Sequence, residues 1–524
     1  MTEEGSASNP GAARAADAGP PGPLSGTSLS IAGLLLSLAN FIVLLDTTIA
    51  NVSVPNIAGG LAVSANDGTW VITSYSVAEA VTVPLTGWLS QRFGAVRVFS
   101  VSMAAFALFS GLCGLAPSLG MLVFFRILQG VSGGPLIPLS QTLLLKTYPK
   151  TQVGKAMTMW AMTTVLAPIA GPILGGLICD HISWPWIFYI NVPVAPVVAI
   201  LAWRVLRKFE EKTVRVPIDI VGLILTIVWV GALQIMLDKG EDADWFNSTT
   251  IVALAVIAAI GFAAFLIWEL TDPHPIINLR VFASPSYTIT LCVLCLAFGA
   301  YFSGIVVQPL WLQTNLGYTA TWAGLAVAPL GVLAIVMSPI NGRLMRKHDP
   351  RLLTFIGMLG IAGTMFWRSR FASNVDFLHI IAPQMVMGIF IPLFFAPIFS
   401  LALSTLAPRD LAGGAGLLSF ARTMAGAFGT SLSTTAWSDA ARNARVELLN
   451  QPQLDTAQAI DQIAATGLTM EQARQQFDTM LQNQAVMIAT DRIFFILGVL
   501  LTIASFSIWL TRRPRPAGGS DGRR

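Results

Sequence analysis

Residues 44–61 read LLDTTIANVSVPNIAGGL, residues 70–90 read WVITSYSVAEAVTVPLTGWLS, and residues 91–97 close the stretch with QRFGAVR. Two apolar runs, each long enough to cross a bilayer, carry one acid apiece, Asp46 and Glu79. A glycine-framed basic turn follows the second run. A charged side chain at the centre of a membrane helix costs ~2.5–3.5 kcal/mol on insertion scales. Two acids kept in neighbouring spans at that cost point to ion or proton movement rather than to packing.

Composition widens the same reading to the whole chain. Of 524 residues, 54% are hydrophobic and 11% charged, whereas soluble domains carry about 25% charge. So few charges do not cover a soluble surface of this size. Apolar runs of about 18 residues or more recur from Leu29 onward, the signature of an all-α polytopic membrane protein. The ten-residue alternating segments of a membrane barrel are absent. Of the four cysteines, Cys292 and Cys295 form a C-x-x-C inside the apolar run TLCVLCLAF, with no histidine or second pair nearby. They read as small hydrophobes, as do Cys113 and Cys179, so no metal, disulfide framework or cofactor is expected. The net charge of +4 sits at loop positions, and no nucleic-acid partner is expected.

Fourteen membrane spans are expected, near residues 29–51, 69–90, 98–116, 119–144, 154–178, 185–206, 218–237, 250–270, 286–310, 322–342, 351–371, 377–402, 411–436 and 490–511. They fall into an N-terminal six-helix bundle (29–206), two inserted helices (207–271) and a C-terminal six-helix bundle (272–511). Residues 1–28 and 512–524 read as polar tails, the first disordered. Lysine and arginine placement sets the orientation. One set of connections carries Arg92, Arg97, Lys146, Lys150, Lys155, Arg204, Arg207, Lys208, Lys212, Arg215, Arg280, Arg343, Arg346, Lys347, Arg351 and Arg409, and the tail adds Arg512, Arg513 and Arg515. The opposite short loops offer Lys239, Arg368 and Arg370, one of them within the acidic run DKGEDADW. Both termini are therefore expected in the cytoplasm.

The halves echo one another. Thr69–Trp70 opens span 2, which ends PLTGWLSQRFGAVR, and Thr321–Trp322 opens span 10, which ends SPINGRLMRKHDPR. Repeats related about an axis along the membrane normal are a transporter architecture. Spans 7 and 8 fall between the halves and read as free of membrane-embedded charge. On the non-cytoplasmic side, 437–489 is the longest soluble piece, two polar helices separated by a Thr-Gly break. It is either a solvated hairpin or a docking surface.

Four motifs stand in order: LDTTIANVSVP (45–55), FFRILQGVSGGPLIPLSQ (124–141), APIAGPILGG (167–176) and WPWIFYINVP (184–193). With them the chain resembles the fourteen-span drug:proton antiporters of the major facilitator superfamily, the EmrB/QacA type and within it the EmrB side. The resemblance covers nearly everything after the N-terminal tail. It implies a major facilitator fold, a role in proton coupling for Arg126, and an antiporter motif in span 5 at Gly171, Pro172, Gly175 and Gly176. It also implies a cytoplasmic turn motif at Gly87, Arg92, Gly94 and Arg97, in which Gln91 replaces the family's aspartate and weakens any acid latch. For partners, it implies a periplasmic membrane-fusion adaptor (EmrA-type) and an outer-membrane channel, hence an inner-membrane component of a tripartite pump in a double-membraned bacterium.

Depth and helical faces refine the candidates. At a rise of ~1.5 Å per residue, Asp46, Glu79 and Arg126 lie ~12, ~14 and ~10 Å below the outer ends of their spans. An Asp46–Arg126 contact is the natural pairing. On span 2, Tyr75, Ser76, Glu79, Thr82 and Thr86 share one face, which turns Glu79 toward a cavity. On span 1, Asn40, Thr47 and Asn51 share a face and Asp46 points about 100° from Thr47, so Asp46 either packs toward another helix or lines the path. On span 4, Arg126, Gln129, Gly130, Gly133 and Gly134 make a polar, very small face. On span 13, Ser419, Arg422, Gly426, Gly429 and Ser433 align likewise, with Arg422 the one strong charge embedded in the second half. It either receives an anionic substrate group or holds a structural site.

The expected function is proton-driven export of hydrophobic or amphipathic compounds by alternating access, with Asp46 and Glu79 exchanging protons. Tyr75, Gln129, Trp160, Tyr301 and Phe395 are candidate lining groups, with packing as their alternative role. Small residues and Pro172 give span 5 a close, bent seam on which halves rock. No GxxxxGK[ST] loop is present for an ATP-driven pump, and no repeated filter or charge ring for a channel. A proton-coupled uptake carrier is the runner-up, because sequence does not set direction. A scaffold without transport leaves the embedded charges unexplained.

Overall fold

The computed structural model describes residues 24–149, 151–210, 213–214, 217–273, 275–277, 279–372, 375–407, 410–450 and 456–511. The expectations for residues 1–23, Lys150, Lys212, Arg215, Arg409 and 512–524 lie outside them. Every regular element among the described residues is helical. Lipid offers the backbone no hydrogen-bond partner, so a spanning segment satisfies its amides along its own axis.

Twelve described helices are long and apolar enough to cross a membrane. They are Gly26–Gly60, Ala95–Gly114, Leu119–Thr147, Val153–His181, Trp186–Phe209, Ile220–Lys239, Thr249–Thr271, Pro285–Thr314, Trp322–Lys347, Pro350–Arg368, Phe377–Ser404 and Met470–Leu510. In chain order they take the places of spans 1, 3–12 and 14. The other two expected spans are helical but different. Span 2 is broken: Trp70–Thr82 tightens into a 3-10 turn at Val83–Leu85 and resumes as Thr86–Phe93. Pro84 sits in that turn, where its missing N–H would interrupt an α-helix. Span 13 is the 39-residue helix Leu411–Leu449, rich in Gly, Ser and Thr and therefore less apolar.

Helix starts are set locally. Ser118, Asp219, Thr319, Asp349 and Asp376 each accept a backbone N–H in the first turn of the helix that follows. His379 supplies that N–H to Asp376, and with it holds the exposed Asp376 carboxyl below its ordinary value. Thr469 and Gln472 form a reciprocal capping box. Large apolar side chains such as Ile260, Ile267 and Leu270 face outward, the surface a lipid environment tolerates.

Spans 1 to 6 pack mainly on one another, and so do spans 9 to 14. Between these groups, span 5 lies along spans 10 and 12, and spans 2 and 4 meet span 13. Span 7 packs on spans 8 and 2 and touches span 13. Glu269, near the end of span 8, is buried and its Oε2 accepts the Ile277 N–H at 3.2 Å. There the chain folds back over the helix end.

The 437–489 expectation needs a correction. The polar helices are not separate: they extend spans 13 and 14, and a short helix, Thr456–Ala464, lies between. The extensions are tied together by Arg445 to Asp478, Arg445 Nη1 to Gln482 Oε1 at 3.2 Å, and Arg492 to Glu447 at 2.9 Å.

Candidate functional site

The centre of the first six spans is a buried polar network. Arg126 Nη1 donates to Asp46 Oδ2 at 2.6 Å and to Gln129 Oε1 at 2.9 Å. Its Nε donates to the Val71 carbonyl of span 2 at 3.0 Å. Asp46 Oδ1 accepts from Gln129 Nε2 at 2.9 Å and from Asn191 Nδ2 at 2.7 Å. Asn191 also donates to Ser110 Oγ at 3.0 Å, which in turn donates to the Phe188 carbonyl. The guanidinium lies 4.1 Å from the Tyr75 ring centroid. Spans 1, 2, 3, 4 and 6 therefore meet on one ion pair with both side chains fully buried. Such a pair survives burial when hydrogen bonds satisfy its remaining lone pairs and protons. Here only Arg126 Nη2 is left without a partner.

The span 4 glycines bring span 2 this close. A Cβ at Gly130 would stand 2.6 Å from the Tyr75 carbonyl oxygen, which no side chain tolerates. Asn191 escaped the sequence reading, although it is the one polar residue opening the apolar run NVPVAPVV.

Glu79 is also buried, yet no hydrogen bond or ion pair ties its carboxylate among the described residues. It lies within the electrostatic reach of Arg422 and of Arg126. Arg422 belongs to span 13, so this attraction crosses from one group of helices to the other. The Arg422 guanidinium lies 5.6 Å from the Phe298 ring, and its Nη1 has no hydrogen-bond partner. On span 2 the Thr82 and Thr86 hydroxyls donate to the Ala78 and Val83 carbonyls at 2.7 and 2.6 Å, with the 3-10 turn between them.

The remaining candidates sit in packed surroundings. Gln129 is a strut of the Asp46 network, and Tyr75 lies under Arg126. Trp160 donates from Nε1 to Ser140 Oγ at 2.8 Å, and its ring meets Phe399 of span 12 edge-on at 5.4 Å. Tyr301 and Phe395 meet edge-on at 5.5 Å, beside Phe298 and Phe394. Arg368 differs from expectation. It is not a loop charge but a fully buried side chain, so Arg422 is not the only cation embedded in the second half.

The small-residue motifs sort by neighbour. A Cβ at Gly171 would be 2.3 Å from Thr48 Oγ1, and one at Gly175 3.3 Å from the Ile49 oxygen. These span 5 glycines thus serve span 1, while a Cβ at Gly176 would meet nothing within 4 Å. On the seam between the groups, the small residues belong to span 10: Gly324 faces Ile173 and Pro172, and Gly331 faces Ile169 and Leu166. At the basic end, a Cβ at Gly87 would be 2.7 Å from the Gly413 Cα of span 13.

Gly94 adopts φ +92°, and an acid does stand at this turn: Glu210 of the span 6–7 connection. Its carboxylate accepts the Val96 N–H at 3.1 Å and the Arg97 N–H at 2.8 Å, at the start of span 3. Arg92 lies over Trp88 and Phe93, and the Arg97 side chain is exposed.

Residues 36–430 match the Major Facilitator Superfamily. The chain is 43% identical over 504 residues to the multidrug export protein EmrB of Escherichia coli (strain K12), covering 95% of this chain and 98% of that protein. It is 42% identical over 501 residues to the EmrB protein of Haemophilus influenzae, covering 94% and 97%. The solved proton:xylose symporter XylE shares the fold, with a TM-score of 0.59 at 15% identity over 92% of this chain and 96% of that one. This multi-pass membrane protein therefore belongs to the Major Facilitator Superfamily, and it is a secondary transporter rather than an enzyme.

Proposed function

We propose that the chain is a proton-coupled multidrug exporter of hydrophobic or amphipathic compounds, set in the bacterial inner membrane with both termini in the cytoplasm. The observation that carries the reading is the placing of two buried acids: Asp46 locked inside one helix group, and Glu79 within the electrostatic reach of Arg422 on the other. Relatives named as multidrug export proteins support the export direction.

In this mechanism Asp46 and Arg126 hold spans 1, 2, 4 and 6 as one body. The Glu79 carboxylate has no hydrogen bond to break when it takes a proton. While charged, it attracts Arg422 and favours contact between spans 2 and 13. Once protonated, it releases that attraction, and the seam formed by spans 5 and 10 is free to rearrange. One proton step is thereby linked to opening, as coupling demands a differential interaction with the two states. The proton gradient supplies the energy.

Substrate-dependent proton flux tests the reading, measured with purified protein in liposomes under an imposed pH gradient. Outward-directed exchange of drug for protons is expected. Co-directional flux would make the chain an uptake carrier, and no flux would remove transport by this route.

The proposal extends to a periplasmic adaptor and an outer-membrane channel. Its support is the paired extension of spans 13 and 14, which with the helix between them borders an open groove of about 410 Å³ lined by Leu448, Ile463, Phe477 and Met480. Replacing 450–469 by a short Gly/Ser link should spare liposome transport and abolish resistance in cells. Full cellular resistance after that replacement would remove the docking role.

A further inference from the structure

Two acids meet where span 7 begins and span 8 ends, outside the Asp46 and Glu79 sites. Asp219 caps span 7: its Oδ1 accepts the Gly222 N–H at 2.8 Å and the Trp268 indole N–H of span 8 at 2.9 Å. Glu269, next to Trp268, is 3% exposed, and its Oε2 accepts the Ile277 N–H at 3.2 Å. Each acid thus commits one oxygen to N–H donors. The other oxygen of each, Asp219 Oδ2 and Glu269 Oε1, is buried without a hydrogen-bond partner. Gly222 shows that these two oxygens converge. A Cβ added there would stand 2.1 Å from Asp219 Oδ2 and 2.7 Å from Glu269 Oε1. The charged groups that act on Glu269 are Asp219 and Asp272, both acids. Ile276 and Ile277, in the segment that folds back over Glu269, join an apolar cluster with Phe265 of span 8, Ala80 of span 2 and Met424 of span 13.

Two buried carboxylates that face one another do not both stay charged, because burial and like charge each oppose the second ionisation. Buried polar atoms are also matched in nearly all native structures. One proton meets both demands. We infer that Asp219 and Glu269 form a proton-binding site, with a single proton held between Glu269 Oε1 and Asp219 Oδ2. Glu269 is the protonated member, its Oε1–H donating to Asp219 Oδ2. The two N–H donors on Asp219 Oδ1 keep that side chain the carboxylate. When the proton leaves, to water at the half-exposed Asp219, two negative charges face each other across the ends of spans 7 and 8. Repulsion drives Glu269 away from Asp219, and Ile277 moves with it. The cluster that holds Ile277 includes Ala80, the residue after Glu79, so the site lets pH bear on packing beside the coupling acid without sharing its proton.

The test follows protonated carboxyls in the full chain by infrared difference spectroscopy over a pH series, in a maltoside detergent that has no carbonyl of its own. Wild type minus Glu269→Gln should show one protonated carboxyl per chain at neutral pH. Asp219→Asn should shift or remove that band, and Glu79→Gln should leave it in place. Melting gives a second readout. The folded pair keeps a proton that the unfolded chain has lost, so stability falls as pH rises. Relative to Glu269→Gln, whose amide can donate to the same oxygen, the wild-type melting temperature should fall as the band disappears. Gly222→Ala puts a methyl group between the two oxygens and should abolish the band and this pH dependence, although alanine is the better helix former. No protonated Glu269 at neutral pH overturns the site. A band that Asp219→Asn leaves unmoved overturns the sharing, and a band that appears only after a chelator is added makes the ligand a metal cation instead. A band lost in Glu79→Gln belongs to the coupling acid and overturns the inference. Should Glu269→Gln not fold, the band in Asp219→Asn and Gly222→Ala decides by the same comparison. Failure of proton-coupled flux in liposomes removes the exporter reading and leaves this site standing.

Discussion

Arg126 in span 4 and Arg368 in span 11 are both fully buried, and their surroundings are opposite. Arg126 finds an acid, an amide oxygen and a backbone carbonyl from three helices. Arg368 finds a sulfur and an aromatic face. Arg422 falls between them, sensing Glu79 through space without a bond to it. The difference separates three uses of one side chain. A matched arginine ties helices together, one in the field of an acid on the other helix group can answer a change in that acid's charge, and one is held by a sulfur and an aromatic face.

The largest effect should come from breaking the matched case. Arg126→Ala leaves Asp46 buried and unpaired, at ~3–5 kcal/mol, so both the melting temperature and export should collapse. Adding Asp46→Asn should recover melting but not proton-driven export. If Arg126→Ala melts like the wild type, the contrast with Arg368 fails.

Glu79→Gln comes next. No hydrogen bond is lost, so the protein should still fold and reach the membrane. Proton-driven export should nevertheless fall to the uncoupled background in liposomes. Normal coupled flux in this variant would take Glu79 out of the mechanism.

Arg422→Gln should lower coupled flux by about tenfold, the equivalent of ~1.4 kcal/mol. The loss should be equal for laurate and tetraphenylphosphonium, because the acid that Arg422 answers is Glu79. A loss confined to laurate would make Arg422 an anion-binding group instead.

The smallest effect concerns the turn. Glu210→Ala removes two backbone bonds at the start of span 3, a cap worth ~1 kcal/mol. A small drop in melting temperature with coupling intact is expected. Loss of coupling would show that the connection to span 7 acts as a latch.

Sequence alone carried the membrane class, the helical fold and the identity of three buried charges, Asp46, Glu79 and Arg126. Each follows from local chemistry: long apolar runs, basic loops, and the cost of an acid in hydrocarbon. The Asp46–Arg126 contact was legible from depth, since two opposite charges at one level of a bundle have few other partners. What lay beyond reach depended on rotation and on distant chain. Asn191 reaches Asp46 across 145 positions. Glu210 replaces the missing acid of the turn from a connection more than a hundred residues away. Arg368 read as a loop charge because it ends a helix, and only the packing of spans 9, 12 and 14 around that end buries it. Hydrophobic length and charge are written residue by residue. Which unmatched cation meets an acid is decided only where helices from different parts of the chain pack together.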